Sequence, residues 1–190
     1  LEAPPTELIG FAPDVIVVSP GFRPDHPVLA WADAESIAVW GDIELAWRVR
    51  DKVNAADWVL VTGTNGKTTT TQLTATFLAA GGRRAAPCGN IGVPVLDAVR
   101  DPQGFDVLVV ELSSFQLHRI PRTGPGALHP ASSVCLNIAD DHLDWHGSAD
   151  AYRDAKATVY ENVRIACVYN RADPVTRQLV EEADVAEGAR

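Results

Sequence analysis

The sequence predicts an α/β fold: a mostly parallel, doubly wound sheet carrying a phosphate loop. Three observations predict it. Short β-like runs alternate with helical patterns along the whole chain, as they do where strands are joined by crossover helices. One such run, WVLVT (58–62), passes through a glycine-containing turn, GTNG, straight into a helical pattern. Finally, 190 residues with 46% hydrophobic and 22% charged content are enough to close a buried core.

The elements follow in order. Val15–Ser19 and Ile37–Trp40 are short apolar runs and read as the first two strands, with helical patterns over Pro27–Ala34 and Ile43–Arg50. Asp51–Asp57 is short, polar and alanine-rich, so it reads as a linker and divides the chain into 1–54 and 55–190. Trp58–Thr62 opens the second part as a strand, and Lys67–Ala80 follows as a helix stopped by Gly81-Gly82. Leu73, Phe77 and Ala80 are the expected inward stripe of that helix. Arg84–Pro87, Val107–Leu112, Ser133–Ile138 and Ile165–Tyr169 read as further strands, and Ala149–Glu161 and Pro174–Glu182 as further helices. No repeat or low-complexity segment interrupts them.

Composition removes several classes of function. The formal charge is -9 with acidic residues spread out, and no Lys/Arg-rich stretch offers a nucleic-acid surface. No apolar run approaches the roughly 18–20 residues that span a bilayer, and no signal peptide is visible, so neither a membrane nor a nucleic-acid partner is expected. Cys88, Cys135 and Cys167 are scattered through apolar segments without Cys-x-x-Cys spacing, which fits buried cytoplasmic thiols. The chain starts at Leu1 and contains no Met, which suggests a piece of something larger.

The turn after WVLVT reads GTNGKTTT (63–70). Gly63 and Gly66 let the backbone bend so that N–H groups from Thr64 through Asn65 to the helix start at Lys67, Thr68, Thr69 and Thr70 face an anion. Lys67 adds charge for β/γ-phosphates, and the Thr68 hydroxyl suits Mg²⁺. The spacing departs from G-x-x-x-x-G-K-[ST], because Val61 stands where the first glycine would be; a shortened loop is implied. A glycine turn capped by threonines is the plainer alternative, but it needs neither the lysine nor the strand–loop–helix context.

Ligands of doubly wound sheets gather beyond the carboxyl ends of strands. Val107–Val110 runs into ELSSFQL (111–117), which places Glu111, Ser113 and Ser114 there. Glu111 suits a metal, or else a pairing with a nearby arginine or a helix N-terminus. Cys88-Gly89-Asn90-Ile91-Gly92 follows another strand and, taken alone, is a turn. After Val134–Ile138 comes ADDHLDWHG (139–147), whose carboxylates and imidazoles fit Mg²⁺ or Mn²⁺ or a solvated loop equally well. Zinc is disfavoured, because no closed-site spacing is present. If Ser148 caps the next helix, Lys156 falls in the apolar arc of Tyr152, Ala155, Val159 and Tyr160. Its stem could pack there while the ammonium snorkels to water.

Together these residues resemble the Mur ligase family of peptidoglycan synthesis, which includes the folylpolyglutamate synthetases. GTNGKTTTT matches the family's phosphate loop, while NIADDHLDWHG and YRDAK resemble its metal and lysine motifs. ELSSFQL, GNIG and SPGF…HPVL…GDIEL (19–45) are most similar to the branch that adds D-glutamate. DHLD-aromatic-HG is shared with the branch that adds meso-diaminopimelate or L-lysine. The resemblance implies that 1–54 is the latter part of a Rossmann-like UDP-binding domain and 55–190 a central ATP-binding domain, with a C-terminal domain absent.

The implied reaction is ATP-driven amide formation. The carboxylate of UDP-N-acetylmuramoyl-L-alanine attacks the γ-phosphate, and the D-glutamate amine displaces the resulting acyl phosphate. By the same resemblance, Lys67, His142 and Lys156 are catalytic, and Gly63 to Thr70 bind ATP. Thr68 and Glu111 hold one Mg²⁺, while His142 and a CO₂-carbamylated Lys156 hold a second. Asn90, Ser113 and His142 face the muramoyl substrate, Gly21 lies near the uridine, and Asp141 and Arg153 orient these groups. A monomeric cytoplasmic enzyme of cell-wall biogenesis, linked to cell shape, cell division and the cell cycle, is implied. In the family the C-terminal domain supplies much of the D-glutamate site and part of the adenine site, so this chain alone is expected to be inactive. The alternatives are the diaminopimelate- or lysine-adding branch, a P-loop nucleotide hydrolase, and a non-catalytic nucleotide-binding fragment.

Overall fold

The structure, a computed structural model, describes residues 6–189. α1 (Thr6–Phe11) precedes β1 (Val15–Val18), which pairs in parallel with β2 (Ala38–Gly41) across α2 (Pro27–Ala34). α3 (Asp42–Val49) then leads to the larger sheet. Its strands are β3 (Asp57–Thr62), β4 (Ala85–Gly89), β5 (Val107–Glu111), β6 (Ser132–Cys135) and β7 (Ala166–Tyr169), in the order β4-β5-β3-β6-β7 and parallel throughout. From β3 the chain crosses to one edge and later returns to build the other, so the order reverses beside β3, where doubly wound sheets open a crevice. Pro87, which cannot donate to a ladder, sits in edge strand β4, where that loss is tolerated.

The connecting helices are α4 (Lys67–Ala80), α5 (Val95–Ala98), α6 (Ser114–Arg119), α7 (Leu143–His146) and α8 (Ala149–Ala157), with α9 (Pro174–Glu182) after β7. α5, α6 and α7 are too short to show a hydrophobic period in sequence. The helix expected over Ala149–Glu161 tightens into a 3-10 turn at Thr158–Tyr160.

The main core gathers Trp58, Leu60, Leu108, Val110, Leu112, Leu117 and Tyr160. Ile43, Ala46 and Trp47 of α3 join it, and Trp47 meets Trp58 edge-on at 5.1 Å. The Asp51–Asp57 segment is thus spanned by packing, while Asp51 Oδ1 turns its own backbone by accepting from Val53 and Asn54 N–H.

α4 presents a different face from the expected one. Thr71 and Ala75 are buried, with Leu78 packed beside them against Val61 and Val109, whereas Leu73 and Phe77 are 49% and 69% exposed and Ala80 is also exposed. The loop before α4 sets its rotation, and small inward residues let it lie close on the sheet. Hydrophobicity therefore pointed to the wrong stripe.

Candidate functional site

Parallel register brings the carboxyl ends of four strands side by side. Gly89 pairs with Glu111, Glu111 with Val61, and Thr62 with Cys135, so the loops after β4, β5, β3 and β6 leave one edge together. Every motif singled out in the second part of the sequence, Lys156 excepted, lies in or beside those loops.

The phosphate loop bends at Gly63 (φ 150°) and Gly66 (φ 83°), and Gly66 is the left-handed residue from which α4 starts. Lys67 Nζ donates to the carbonyls of Gly63 (2.8 Å) and Thr64 (3.0 Å), holding the charge over the loop. The loop is braced from β6. Asn65 N–H donates to Asn137 Oδ1 and Asn137 Nδ2 returns to Asn65 O, at 2.8 and 3.0 Å. Thr64 Oγ1 accepts from Ala139 N–H at 3.0 Å and lies 2.9 Å from the Tyr152 hydroxyl. Thr68 and Thr69 remain exposed at the start of α4.

At the end of β5, Asn90 Nδ2 donates to Glu111 Oε1 at 3.0 Å. Glu111 is only 2% exposed, and its Oε2 is buried without a partner. No arginine pairs with it among the described residues, so the ion-pair alternative does not apply. Gly89 makes this geometry possible. With φ at 98°, a Cβ there would stand 2.4 Å from the Glu111 carbonyl oxygen. Gly89→Ala is expected to destabilise the protein by about 2–4 kcal/mol, read as a lower urea midpoint at unchanged slope.

Ser113 caps α6 in a reciprocal box: Gln116 N–H donates to Ser113 Oγ, and Ser113 N–H donates to Gln116 Oε1. The far end of the Gln116 amide donates to Asp42 Oδ2 at 2.9 Å. Facing α6, His142 is held at φ 50°, a left-handed backbone that costs energy for any residue with a Cβ. Asp141 accepts the His142 N–H at 2.9 Å and approaches its ring at 3.4 Å. The Phe115 ring lies 4.7 Å from His142 and 4.8 Å from Trp145. His146 Nε2 lies 3.0 Å from Ser114 Oγ, and burial together with the neighbouring His118, His142 and Lys156 lowers its pKa to about 4. That ring is neutral at physiological pH.

Ser148 caps α8 as expected, accepting the Ala151 N–H, and Tyr152, Ala155, Val159 and Tyr160 are buried. Lys156 is 2% exposed, so its ammonium does not snorkel out. Nζ donates to Gly63 O (3.1 Å) and Thr62 Oγ1 (3.3 Å), beside the Tyr152 ring, and no carboxylate pairs with it among the described residues. Burial lowers its pKa to about 8. Burial also raises the Cys88 and Cys135 thiols, to about 12 and about 11, which leaves them inert, and Cys167 is half-buried.

The structure therefore brings Glu111 to Asn90, Lys156 to the phosphate loop, and Asp141 to His142. Arg153 is placed elsewhere, 3.6 Å from Glu182 of α9. Gly21 reaches the cluster from the amino-terminal part, its carbonyl 3.4 Å from Trp145 Nε1, and Arg119 donates to the neighbouring Phe22 carbonyl. Sequence reasoning missed Thr62, Asn137 and Tyr152 as braces. Their position at strand ends and one turn before Lys156 was the available signal.

The profile of the Mur ligase middle domain matches residues 61–188. The UDP-N-acetylmuramoylalanine--D-glutamate ligase of Leifsonia xyli subsp. xyli is 67% identical over 197 residues, covering 100% of this chain and 38% of that protein. Proteins of the same name from Tropheryma whipplei (strain Twist) and Streptomyces avermitilis are 56% and 54% identical, each covering 93% of this chain and 37% of their own length. The chain thus spans well under half of these relatives. The MurF ligase of Thermotoga maritima, solved in complex with ADP, superposes with a TM-score of 0.57 at 20% identity, covering 90% of this chain and 46% of that one. That likeness concerns the fold. Because the profile runs from the phosphate loop past Lys156 to α9, and relatives share more than half of their aligned residues with it, this chain belongs to the Mur ligase family.

Proposed function

We propose that residues 1–54 and 55–190 are the latter part of the UDP-binding domain and most of the central ATP-binding domain of a D-glutamate-adding ligase. The enzyme would act as a cytoplasmic monomer in peptidoglycan precursor synthesis, joining D-glutamate to UDP-N-acetylmuramoyl-L-alanine at the expense of ATP. One observation carries the proposal. A carboxylate oxygen without a partner and, among the described residues, a lysine without a counter-ion are buried at the end of β3 before the phosphate loop: Glu111, in register with Val61, and Lys156, which donates to Thr62. Thr62 accepts from Lys156 and donates to the carbonyl of Leu112, the residue after Glu111, at 2.8 Å. Such groups are costly unless a ligand completes them.

The residues fit magnesium: Thr68 and Glu111 would hold one ion, and His142 and carbamylated Lys156 a second. Among the described residues no three His, Cys, Asp or Glu side chains converge, and Mg²⁺ needs no such cage when phosphates complete its shell. Bound there, magnesium supplies positive charge between two anions that must approach. The loop N–H groups bind the phosphates, and Lys67 neutralises the γ-phosphate under attack. Asn90 holds Glu111, while Ser113 and His142 orient the muramoyl carboxylate. The carboxylate oxygen bonds to phosphorus as the bond to ADP breaks. The D-glutamate amine then bonds to the acyl carbon, the acyl C–O bond breaks, and phosphate leaves with the proton that the nitrogen gives up. Phe115 and Trp145 shield this side from water.

The full-length protein, given ATP, UDP-N-acetylmuramoyl-L-alanine and labelled amino acids, should incorporate D-glutamate and neither meso-diaminopimelate nor L-lysine. Incorporation of either of the latter would move it to the neighbouring branch. ATP turnover independent of the muramoyl substrate would make it a nucleotide hydrolase.

A further inference from the structure

Asp42 lies before the linker, at the start of α3, yet its carboxylate meets the site. Gln116 is 4% exposed and its amide is committed at both ends. The Ser113 backbone N–H can only donate, and an ionised carboxylate can only accept. Only one orientation of the amide satisfies both: Oε1 toward Ser113 and Nε2 toward Asp42. Ser113 Oγ lies 3.3 Å from the same Oε1 while accepting the Gln116 N–H, so the polarity of the amide also orders the hydroxyl. Asp42 further lines a cleft of about 270 Å³ with Gly89, Asn90 and Gly92, on the side where Asn90 grips Glu111. Burial raises the Asp42 pKa, as expected for a carboxyl set in a largely closed contact.

We infer that Asp42 is a positioning residue for the ligation, a hydrogen-bond acceptor that fixes the Gln116 amide and through it Ser113. This rests on the D-glutamate ligase reading of the site. It also gives the amino-terminal part a role besides holding the uridine: α3 brings a fixed acceptor to the substrate side of the ATP-binding part. An acid in the first turn of a helix would also stabilise the helix dipole without any such role. The two roles separate on substitution, because Asp42→Asn loses the charge and keeps an acceptor, whereas Asp42→Ala loses both.

The test uses the full-length protein. Asp42→Ala should raise KM for the muramoyl substrate about tenfold, with Asp42→Asn within about threefold of the parent and KM for ATP unchanged in both. Gln116→Glu should fail like Asp42→Ala, because two carboxylates then face each other. Asp42→Asn combined with Gln116→Glu should recover most of the loss, since the asparagine amide now donates to one glutamate oxygen while the other accepts from Ser113. Equal effects of Asp42→Ala and Asp42→Asn, a parallel change in KM for ATP, or no recovery in the double variant would each overturn the inference. If the parent enzyme forms no D-glutamate product, the functional reading fails instead. Hydrogen exchange at the Ser113 amide then decides for Asp42: faster in Asp42→Ala than in Asp42→Asn supports the positioning role, and equal rates overturn it.

Discussion

Lys156→Ala in the full-length enzyme is expected to lower kcat on the order of a thousandfold, the scale of losing a charge-stabilising group from a water-excluded site. Formate or acetate should restore part of the loss. The reason lies in where the helix puts this lysine. Capped at Ser148, α8 turns Tyr152, Ala155 and Lys156 inward, and the amine ends against two neutral oxygens. A buried ammonium served only by dipoles is poorly compensated, so the neutral amine forms more readily than in a solvated lysine. Only the neutral amine attacks CO₂: the ammonium first gives up a proton, the lone pair then forms the N–C bond as a C=O π pair moves onto oxygen, and a second proton leaves nitrogen, so that a cation would become a carboxylate-like anion.

Three readouts follow. The intact protein should gain the mass of one CO₂, and acidification should remove it. With the Lys156 pKa lowered to about 8, carbamate occupancy rises with pH through that value, because the reactive fraction does. Lys156→Arg, which keeps a cation and cannot be carbamylated, is as inactive as the alanine variant. If Lys156→Ala retained full activity, the lysine would be packing alone. Nucleotide binding unchanged in that variant, with or without magnesium, would favour a non-catalytic nucleotide-binding fragment.

The alternation of runs and helices made the sheet legible: all seven expected strands are present, six with bounds within two residues, while the one expected over Ser133–Ile138 ends three residues early, at Cys135. Strands and longer helices write their burial into local pattern. The rotation of α4 was not legible, because it is set by a loop and satisfied by Thr71 and Ala75, which carry little hydrophobic signal. α6 and α7 were hidden for another reason: each is held by contacts with distant residues, such as Gln116 with Asp42 and His146 with Ser114. The motif residues themselves were visible because the phosphate, metal and carbamate chemistry proposed for them would demand particular side chains. Their braces were not, since Asn137 and Tyr152 matter only once β6 and α8 stand beside the loop.

Glu111→Gln should separate stability from activity. The substitution keeps the shape and leaves one oxygen to accept from Asn90 Nδ2, while it removes a negative charge whose other oxygen is buried without a partner. Folding should therefore be unchanged or slightly favoured, because an uncompensated buried charge is removed. Activity should move the other way, with kcat falling about a hundredfold or more and half-maximal activity needing about tenfold more magnesium. A purely structural Glu111 predicts the opposite pairing, lower stability with magnesium dependence intact. Asn90→Ala provides the cross-check. It leaves both carboxylate oxygens unpaired, so it should lower stability, and magnesium should restore that stability more strongly than in the parent, because the ion then becomes the carboxylate's only remaining partner.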